Sequence, residues 1–243
     1  MRKILLITLG GTIACVKTKI CLLPRLKAKE LLKFVTPNPM ASIDSLDFLK
    51  KTVVFPEDWV LLSKKIFSVF DRYDGFVVTL GTDTLAFVSS ALSLMLRNLS
   101  KPVVLTGSMK PIELKQSDGR RNLRDAIRIA TVKDLGGVFV VFNGNIFDGS
   151  VVSKVRSGGK DAFESINSPL LGEVSGNRIN WRNKLPCRKE KLQLRTNLDT
   201  KVITVKLTPQ INDDFFKLLS SYHGIVLEGY GDGNVSTNLV PII

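Results

Sequence analysis

Two glycine turns of the sequence are followed directly by residues that could act as nucleophiles. The turn at 10–11 precedes Thr12, and a second turn lies in "GTDT" at 81–84. A threonine hydroxyl is a useful nucleophile only when a neighbouring group removes its proton. A lysine can be that group when desolvation or a nearby cation lowers its pKa, and an acid can orient it or hold a substrate amine. The same threonines are also common as turn and capping residues, so the pattern alone leaves both interpretations open.

Other motifs narrow the chemistry that these threonines could take part in. The segment "GGTIAC" (10–15) has the spacing of neither a Walker A loop nor a dinucleotide-binding turn, so a nucleotide site is not expected. The chain has one histidine, His223, and no acid–histidine cluster, so no metal site is predicted. A single histidine also argues against a Ser-His-Asp triad at the turns. Any nucleophilic chemistry therefore needs another base, and lysine is the candidate.

Length and composition indicate the class of protein. A chain of 243 residues, 44 % of them hydrophobic, can bury a substantial core. Three cysteines, odd in number and unevenly spaced, argue against a disulfide framework and for a reducing cytosol, so we expect a cytoplasmic protein. No run of about 18 apolar residues could cross a membrane. The apolar stretch 4–9 is shorter than the core of an export signal.

The formal charge of +13 raises the question of nucleic-acid binding. The lysines and arginines are scattered along the whole chain, without zinc-finger spacing or an aromatic RNA-binding signature. We therefore expect a weak general attraction to anions, with neither a specific nucleic-acid partner nor a membrane partner.

Short apolar runs that end in glycine turns alternate with helical patterns. The runs are "LLITLGGT" (5–12), "FVVTLGTDT" (76–84), "PVVLTGSM" (102–109), "VFVVFNGN" (138–145) and "GIVLEGYGDGN" (224–234). Runs that are apolar on both faces are typical of buried strands in a parallel sheet. Helical stripes begin near Pro56, Leu85 and Ser117-Asp118. The sequence thus predicts an α/β fold, a doubly wound and mostly parallel sheet whose five turns face one crevice at the strands' carboxyl ends.

The pattern changes near the polar, basic segment "RNKLPCRKEKLQLRTNLDT". It has no clear period and is typical of an interdomain linker. We therefore predict a first domain at 1–181, a linker at 182–200 and a partial second α/β domain at 201–243. That last part holds one strand (202–207), one helix (212–220) and one strand (225–227), too few for an independent core.

Five segments occur in a characteristic order: "GGTIA", "GTDTLAF", "KPVVLTGSMKPI", "SDGRRNLRDAI" and "DAFESINSP". Together they resemble the bacterial and archaeal L-asparaginase family, closest to its cytoplasmic type I branch. The resemblance covers residues 3–172 and resumes at "GIVLEGYGDGNV". It implies an amidohydrolase that converts L-asparagine to L-aspartate and ammonia, with L-glutamine as a second candidate substrate. It also implies that no cofactor is needed and that the chain forms a homo-oligomer, a dimer or tetramer.

The resemblance assigns roles to individual residues. Thr12 matches the family's nucleophilic threonine, which would attack the side-chain amide and form an acyl-enzyme ester that water hydrolyses. Thr82 and Lys154 match residues that would handle protons, and Asp83 matches the acid that would hold the substrate's α-amino group. The substrate-binding positions that follow from the same match are Lys51, Thr52, Gly81, Ser108 and Asn234.

Three features depart from the family's pattern. Lys50-Lys51-Thr52 stands where the family usually has Asp-Ser or Ser-Gln for the substrate's α-carboxylate, although a lysine could still pair with that group. Asp44-Ser45 could replace the motif only with an insertion after it. Leu22 stands where the flexible flap often carries a tyrosine. The sequence ends at Ile243, so we expect a shortened second domain with exposed apolar surface and unpaired strand edges.

Two alternatives to an active asparaginase remain open. The first is a catalytically impaired or degenerate homologue, a binding module or a decaying reading frame, which the Lys50-Lys51 replacement and the short second domain would explain. The second is an amidase subunit that feeds ammonia to tRNA-dependent amidation, although that subunit carries an extra domain ahead of the "GGTIA" segment.

Overall fold

The computed structural model describes residues 1–185, 187, 190–237 and 239–241. The chain forms two compact units, Met1–Thr196 and Asn197–Ile243. The domain and linker boundaries predicted from composition stay a prediction. Positions 186, 188 and 189 of that linker, and 238, 242 and 243 of the predicted second domain, lie outside the described residues.

Strands and helices alternate through the first unit. Its strands are β1 (Arg2–Gly10), β2 (Cys15–Lys17), β3 (Leu22–Pro24), β4 (Ala41–Lys51), β5 (Gly75–Thr79), β6 (Leu96–Arg97), β7 (Pro102–Thr106), β8 (Gly137–Phe142), β9 (Asn145–Asp148), β10 (Val152–Lys154), β11 (Phe163–Ser165), β12 (Gly172–Ser175), β13 (Arg178–Trp181) and β14 (Gln193–Leu194). Its α-helices are α1 (Ala28–Leu31), α2 (Pro56–Val69), α3 (Thr82–Met95) and α4 (Gly119–Ala130). Short 3-10 turns cover Thr12–Ala14, Leu32–Phe34 and Phe70–Arg72.

Eight strands form one sheet in the order β13-β12-β9-β8-β7-β5-β1-β4. The five strands from β8 to β4 pair in parallel, whereas β9, β12 and β13 pair antiparallel. Successive residues of β1 point to opposite faces, so Leu5 joins a core with Leu62 of α2, and Ile4 joins another with Leu123 of α4. Helices thus cover both faces, which confirms the predicted doubly wound, mostly parallel α/β fold.

The edge strand β4 was not among the predicted strands. Its sequence places Asp44, Ser45 and Asp47 between apolar residues, and it is half-exposed along its length. An edge strand needs no continuous apolar run, because only part of its surface is buried. A continuous apolar run, the pattern that predicts buried strands, therefore does not identify β4.

Two helices begin where the sequence predicts. Pro56 lies in the first turn of α2, and the Asp58 carboxylate accepts the backbone N–H of Phe55 at 3.0 Å. Asp118 occupies the N-cap position of α4. Its carboxylate, however, accepts the backbone N–H groups of residues 109–110, so it holds the loop after β7.

The second unit has the predicted order of strand, helix and strand. These elements are β15 (Val202–Lys206), α5 (Asp213–Lys217) and β16 (Gly224–Glu228), and the two strands pair in parallel. A small core of this unit includes Leu207 and Leu219, both buried. The apolar side chains of Val202, Ile225 and Val226 are 41–54 % exposed, as expected for so few elements.

The fifth glycine turn, at 224–234, follows β16 rather than a strand of the eight-stranded sheet. This turn belongs to the separate two-stranded sheet of β15 and β16, and the expectation that it faces the same crevice as the other four stays a prediction. Apolar runs that end in glycine have the same pattern in both units. The pattern indicates that a strand is buried, but it does not indicate which strand lies next to it. No helix formed by the described residues is long and apolar enough to cross a membrane.

Candidate active site

The loops after β1 and β5 are in direct backbone contact at the carboxyl edge of the sheet. A Cβ atom on Gly11 would overlap the backbone of Gly81, so only glycine fits at position 11. The φ angles of Gly10 and Gly11 are 100° and 73°, values that L side chains rarely adopt. Because Thr12 follows Gly11 and Thr82 follows Gly81, the two predicted catalytic threonines lie on adjoining loops.

Two further loops join this contact. A Cβ atom on Gly81 would overlap the carbonyl oxygen of Thr52, just after β4. A Cβ atom on Gly107, just after β7, would lie 2.6 Å from the carbonyl oxygen of Leu80. The ends of four parallel strands therefore converge, as they do at the ligand sites of open α/β sheets. The predicted substrate-binding positions Thr52, Gly81 and Ser108 lie on these loops.

Backbone bonds hold the turn that precedes Thr12. The N–H of Gly11 donates to the carbonyl oxygen of Lys51 at 2.9 Å, and the N–H of Gly10 donates to the Thr8 hydroxyl at 3.3 Å. Thr12 itself is half-buried and begins a 3-10 turn. The sheet therefore sets the position of Thr12.

Cys15 lies close to this turn but does not suit nucleophilic chemistry. Burial, with a smaller effect from Cys21, raises the pKa of the Cys15 thiol. The thiol donates to the carbonyl oxygen of Gly11 at 3.4 Å. A thiol that stays protonated is a poor nucleophile, so Cys15 is part of the packing beneath the turn.

Lys154 connects the second threonine with the adjacent acid. Its Nζ donates to Thr82 Oγ1 at 2.9 Å and to Asp83 Oδ1 at 2.6 Å. Thr82 is buried, and the side chain of Lys154 is 16 % exposed, whereas that of Asp83 is 80 % exposed. Three of the four predicted catalytic residues are thus in direct contact, with the carboxylate of Asp83 facing solvent.

A hairpin that is distant in sequence brings Lys154 to α3. Lys154 is the last residue of β10, opposite Phe163 of β11. Phe163 is buried against Phe142 of the central sheet, with ring centroids 4.8 Å apart. Core packing of this aromatic pair therefore anchors the hairpin that carries the lysine.

The first turn of α3 supplies the electrostatics of the site. Gly81 is the N-cap residue and provides no side-chain cap, so the first N–H groups of the helix are not satisfied by it. The N-terminus of a helix carries a partial positive charge and favours bound or developing negative charge. Thr82 and Asp83 occupy the first two positions of this 14-residue helix.

Ser108 lies at the site, but its hydroxyl is occupied. It is fully buried, and its Oγ donates to the carbonyl oxygen of Lys110 at 2.5 Å. Asn122 donates to the carbonyl oxygen of Gly107 at 3.0 Å and to the carboxylate of Asp118 at 3.2 Å. Sequence reasoning did not single out Asn122 or Asp118 for this positioning role, because the segment that contains them was interpreted only as a helix cap at Ser117-Asp118 and as one of the family motifs.

Lys51 is paired with an acid that the sequence did not connect to it. Its Nζ lies 2.8 Å from each carboxylate oxygen of Asp58. The side chain of Asp58 is 6 % exposed and that of Lys51 is 44 % exposed. The lysine therefore neutralises a nearly buried carboxylate while part of its side chain remains in solvent.

The other predicted positions stand apart from these contacts. Asn234 lies in the second unit, where its backbone exchanges hydrogen bonds of 2.8 Å with Tyr230. Its contribution to a site stays a prediction. Leu22 begins β3 of the β2–β3 hairpin and is 46 % exposed. Within the described part of the chain, no group of three or more His, Cys, Asp or Glu side chains could hold a metal ion.

Three buried threonines at the same level of the sheet were also missed. Thr8, Thr79 and Thr106 lie in register on β1, β5 and β7. Thr79 Oγ1 donates to Thr8 Oγ1 at 3.0 Å, and Thr106 Oγ1 donates to the carbonyl oxygen of Val141 at 2.7 Å. The signal was present in "LLITLGG", "FVVTLG" and "PVVLTG", where a threonine comes shortly before each turn.

Comparisons with known proteins agree with this fold and identify the family. The family profile described as "Asparaginase, N-terminal" matches residues 3–187. L-asparaginase of Thermococcus kodakarensis is 41 % identical over 249 residues, which cover 99 % of this chain and 76 % of that protein. L-asparaginase 1 of Escherichia coli K12 is 34 % identical over 224 residues, which cover 90 % of this chain and 64 % of that protein.

Solved structures give the same result. The thermostable L-asparaginase from Thermococcus kodakarensis superimposes with a TM-score of 0.90 over 96 % of this chain and 73 % of its own. The probable cytoplasmic L-asparaginase from Campylobacter jejuni, 28 % identical, gives a TM-score of 0.83 over 100 % of this chain and 78 % of its own. The protein belongs to the asparaginase family. The family and these relatives support an amidohydrolase enzyme that acts on asparagine, and they confirm the resemblance identified from the sequence.

Proposed function

We propose that this chain hydrolyses the side-chain amide of L-asparagine to L-aspartate and ammonia through an acyl-enzyme on Thr12. The proposal depends above all on the contact of Lys154 with Thr82 and Asp83 beside the Gly11–Gly81 contact. A hydroxyl nucleophile can split amide hydrolysis into acylation and deacylation when neighbouring groups carry its proton. Thr12 and Thr82 each follow a glycine of the Gly11–Gly81 contact, and the side chains of Lys154 and Asp83 lie beside Thr82.

The reaction begins when Thr12 Oγ attacks the amide carbon of the substrate. Its proton passes through the Thr82 hydroxyl to the amine nitrogen of Lys154, and that proton is then given to the leaving nitrogen so that ammonia departs. The N–H groups in the first turn of α3, which receive no side-chain cap from Gly81, stabilise the negative charge that develops on the amide oxygen. Water then attacks the ester, aspartate is released, and Thr12 regains its proton.

Charged groups around this centre suit the two ends of an amino acid. The exposed carboxylate of Asp83 binds the α-amino group, while its Oδ1 also accepts from Lys154. Lys51, which is partly exposed, binds the α-carboxylate from its position beside Asp58. Backbone groups of Gly81 and Ser108 contact the amide, and the family resemblance assigns Asn234 to substrate binding in the active site of a neighbouring subunit.

The same proposal includes a second substrate, the cellular compartment and the oligomeric state. L-glutamine, one methylene longer, is a second substrate, and no cofactor takes part. The protein works in the cytoplasm as a dimer or tetramer of identical chains. The unpaired cysteines Cys15 and Cys21, and the probable cytoplasmic relative from Campylobacter jejuni, support the compartment.

Ammonia release from L-asparagine and L-glutamine by the purified chain tests this function. Thr12→Ala is the control, with circular dichroism and a melting curve to show that the variant is folded. We expect release that disappears in Thr12→Ala, because the variant lacks the attacking oxygen. Release that survives the substitution would contradict the assigned nucleophile.

The alternative of an impaired homologue makes a different prediction in the same experiment. A folded wild-type chain that binds L-aspartate, measured by calorimetry, but releases no ammonia would support a binding module. The replacement at Lys50-Lys51 is the feature that would explain such an outcome.

A further inference from the structure

The outer edge of the eight-stranded sheet lacks a neighbour. β4 is the last strand in the sheet order and pairs only with β1 among the described residues. It is 11 residues long, so a row of backbone N–H and C=O groups faces outward. A long exposed edge of this kind can accept a further strand from another chain.

A groove of about 750 Å³ opens along this edge. Its floor is formed by residues 43–46 of β4, and we call it the edge groove. Lys29 and Lys33, from the α1 side of the sheet, line one wall, and Lys65 and Arg72, from the α2 side, line the other. The unpaired backbone edge of β4 and the positively charged walls of the groove therefore belong to the same surface.

The charge of the edge groove is not balanced by the chain itself. Lys29, Lys33 and Lys65 have no salt-bridge partner within the described part of the chain. Arg72 lies over the ring of Tyr73, 6.0 Å from its centroid. Arg72 also interacts with the carboxylate of Asp44, so three lysines remain to be matched by a ligand.

The one acid in the edge groove is already engaged. Asp44 accepts the Tyr73 hydroxyl at 2.9 Å and lies 3.4 Å from Lys3 Nζ. The hydrogen bond from Tyr73, helped by Lys3, holds the pKa of Asp44 below its ordinary value. Asp44 therefore stays ionised but paired, and it does not neutralise the lysines of the walls.

We infer that the edge groove binds an acidic protein segment in extended conformation, which adds to β4 as an outer strand. Side chains of an extended strand alternate between the two faces of a sheet. Acidic residues of the segment would therefore meet Lys29 and Lys33 on one wall and Lys65 and Arg72 on the other. A second copy of this chain is a poor occupant, because two edge grooves would bring like charges together in a protein of charge +13.

Fluorescence anisotropy with a labelled decapeptide of alternating Glu-Glu and Val-Val pairs, which presents Glu on both faces of an extended strand, tests this inference on the full chain. The comparison peptide has the same sequence with an N-methyl group on every backbone nitrogen, so its charge is unchanged but neither of its edges can donate to a strand ladder. We expect the N-methylated peptide to bind at least about tenfold more weakly to the wild-type chain. Equal binding of both peptides would overturn the proposal.

Charge reversal in the edge groove is a second test of the same inference. We expect Lys33→Glu/Lys65→Glu to weaken peptide binding at least about tenfold. The matched control, Lys64→Glu/Lys115→Glu, changes the net charge equally at exposed positions outside the edge groove, and we expect it to bind as the wild type does. Equal loss in both variants, or equally tight binding of a short DNA duplex, would mean general attraction to anions and would overturn the proposal.

Discussion

Thr79 donates a hydrogen bond to Thr8 at 3.0 Å, and Thr8 accepts a second one from the backbone N–H of Gly10 at 3.3 Å. Both threonines are buried, and each lies near the end of its parallel strand. Hydrogen bonds of the Thr8 and Thr79 side chains therefore connect the turn that carries Thr12 to two strands of the sheet. This relationship makes Thr8 a positioning residue that does not itself reach the substrate.

The first prediction concerns the hydrogen bonds of Thr8 with Gly10 and Thr79. Thr8→Val keeps the volume but removes the acceptor for Gly10 N–H and leaves the Thr79 hydroxyl without its partner, at a cost of about 1–3 kcal/mol in unfolding free energy. We expect kcat for L-asparagine to fall at least about tenfold, with KM within about twofold, because the nucleophile is misplaced and the binding groups are not.

The matched control for this prediction is Thr106→Val. Thr106 is equally buried and in register, but it bonds to Val141 rather than to the turn. We expect it to lose stability with kcat preserved, and Thr8→Ser to restore the kcat lost in Thr8→Val. Equal kcat in the Thr8→Val and Thr106→Val variants would show that the bond to Gly10 has no role in positioning.

The second prediction concerns Lys154. Lys154→Met removes the side-chain nitrogen that contacts Thr82 and Asp83 and with it the group that accepts and returns the proton. We expect kcat to fall by about 10²–10⁴, the range typical of a lost general acid or base. The control is Lys160→Met, an exposed lysine a few residues further on, which we expect to leave kcat unchanged. A Lys154→Met enzyme with near wild-type kcat would remove Lys154 from the mechanism.

The third prediction concerns which threonine becomes acylated. Rapid acid quenching of the enzyme with L-asparagine, followed by digestion and mass spectrometry, should find an aspartyl ester on the peptide that contains Thr12. The bond between Lys154 and Thr82 makes Thr82 the competing site. An ester on the Thr82 peptide would exchange the proposed roles of the two threonines.

The fourth prediction separates the two roles of Lys51. Lys51→Met leaves the nearly buried carboxylate of Asp58 unpaired, and because Lys51 is partly exposed we expect a loss of only about 1 kcal/mol of stability in urea unfolding. Lys51→Met/Asp58→Asn should recover that stability. If Lys51 binds the substrate's carboxylate, KM for L-asparagine stays raised in both variants. Unchanged KM in both would make the pair purely structural, and Lys50→Met serves as the control.

The fifth prediction concerns pH and Asp125 of α4. Burial raises the pKa of the Asp125 carboxyl above its ordinary 3.8, although Arg124 opposes the change. The folded state therefore holds this proton more tightly than the unfolded state. The stability contributed by Asp125 is fully present below the ordinary pKa of 3.8, and it is lost as the pH rises through the raised pKa of the folded state.

Urea unfolding of the wild type and Asp125→Asn at about pH 4 and about pH 7 measures this effect. Asp125→Asn should be more stable relative to the wild type at the higher pH than at the lower pH, because the wild type loses the Asp125 contribution and asparagine has no proton to lose. A difference between the two proteins that stays constant, or that changes in the opposite direction, would contradict the prediction.

Much of the candidate site could be predicted because its residues come in short local motifs. The turns before Thr12 and Thr82 follow buried apolar runs, and the carboxyl ends of parallel strands share one edge. The edge strand β4 and the bond from Thr79 to Thr8 could not be predicted in the same way. A half-exposed strand has no strong apolar run, and a hydroxyl pair across strands requires their order to be known.

By itself the sequence determined the strand–turn units, the helix starts at Pro56 and Asp118, and the family, because burial, capping and glycine turns act over a few neighbouring residues. Only the tertiary structure decided that Lys154 bonds to Thr82 and that Lys51 bonds to Asp58. The same holds for the fifth glycine turn, which belongs to a different sheet. Such contacts depend on strand order and on packing between distant segments, which local periodicity does not contain.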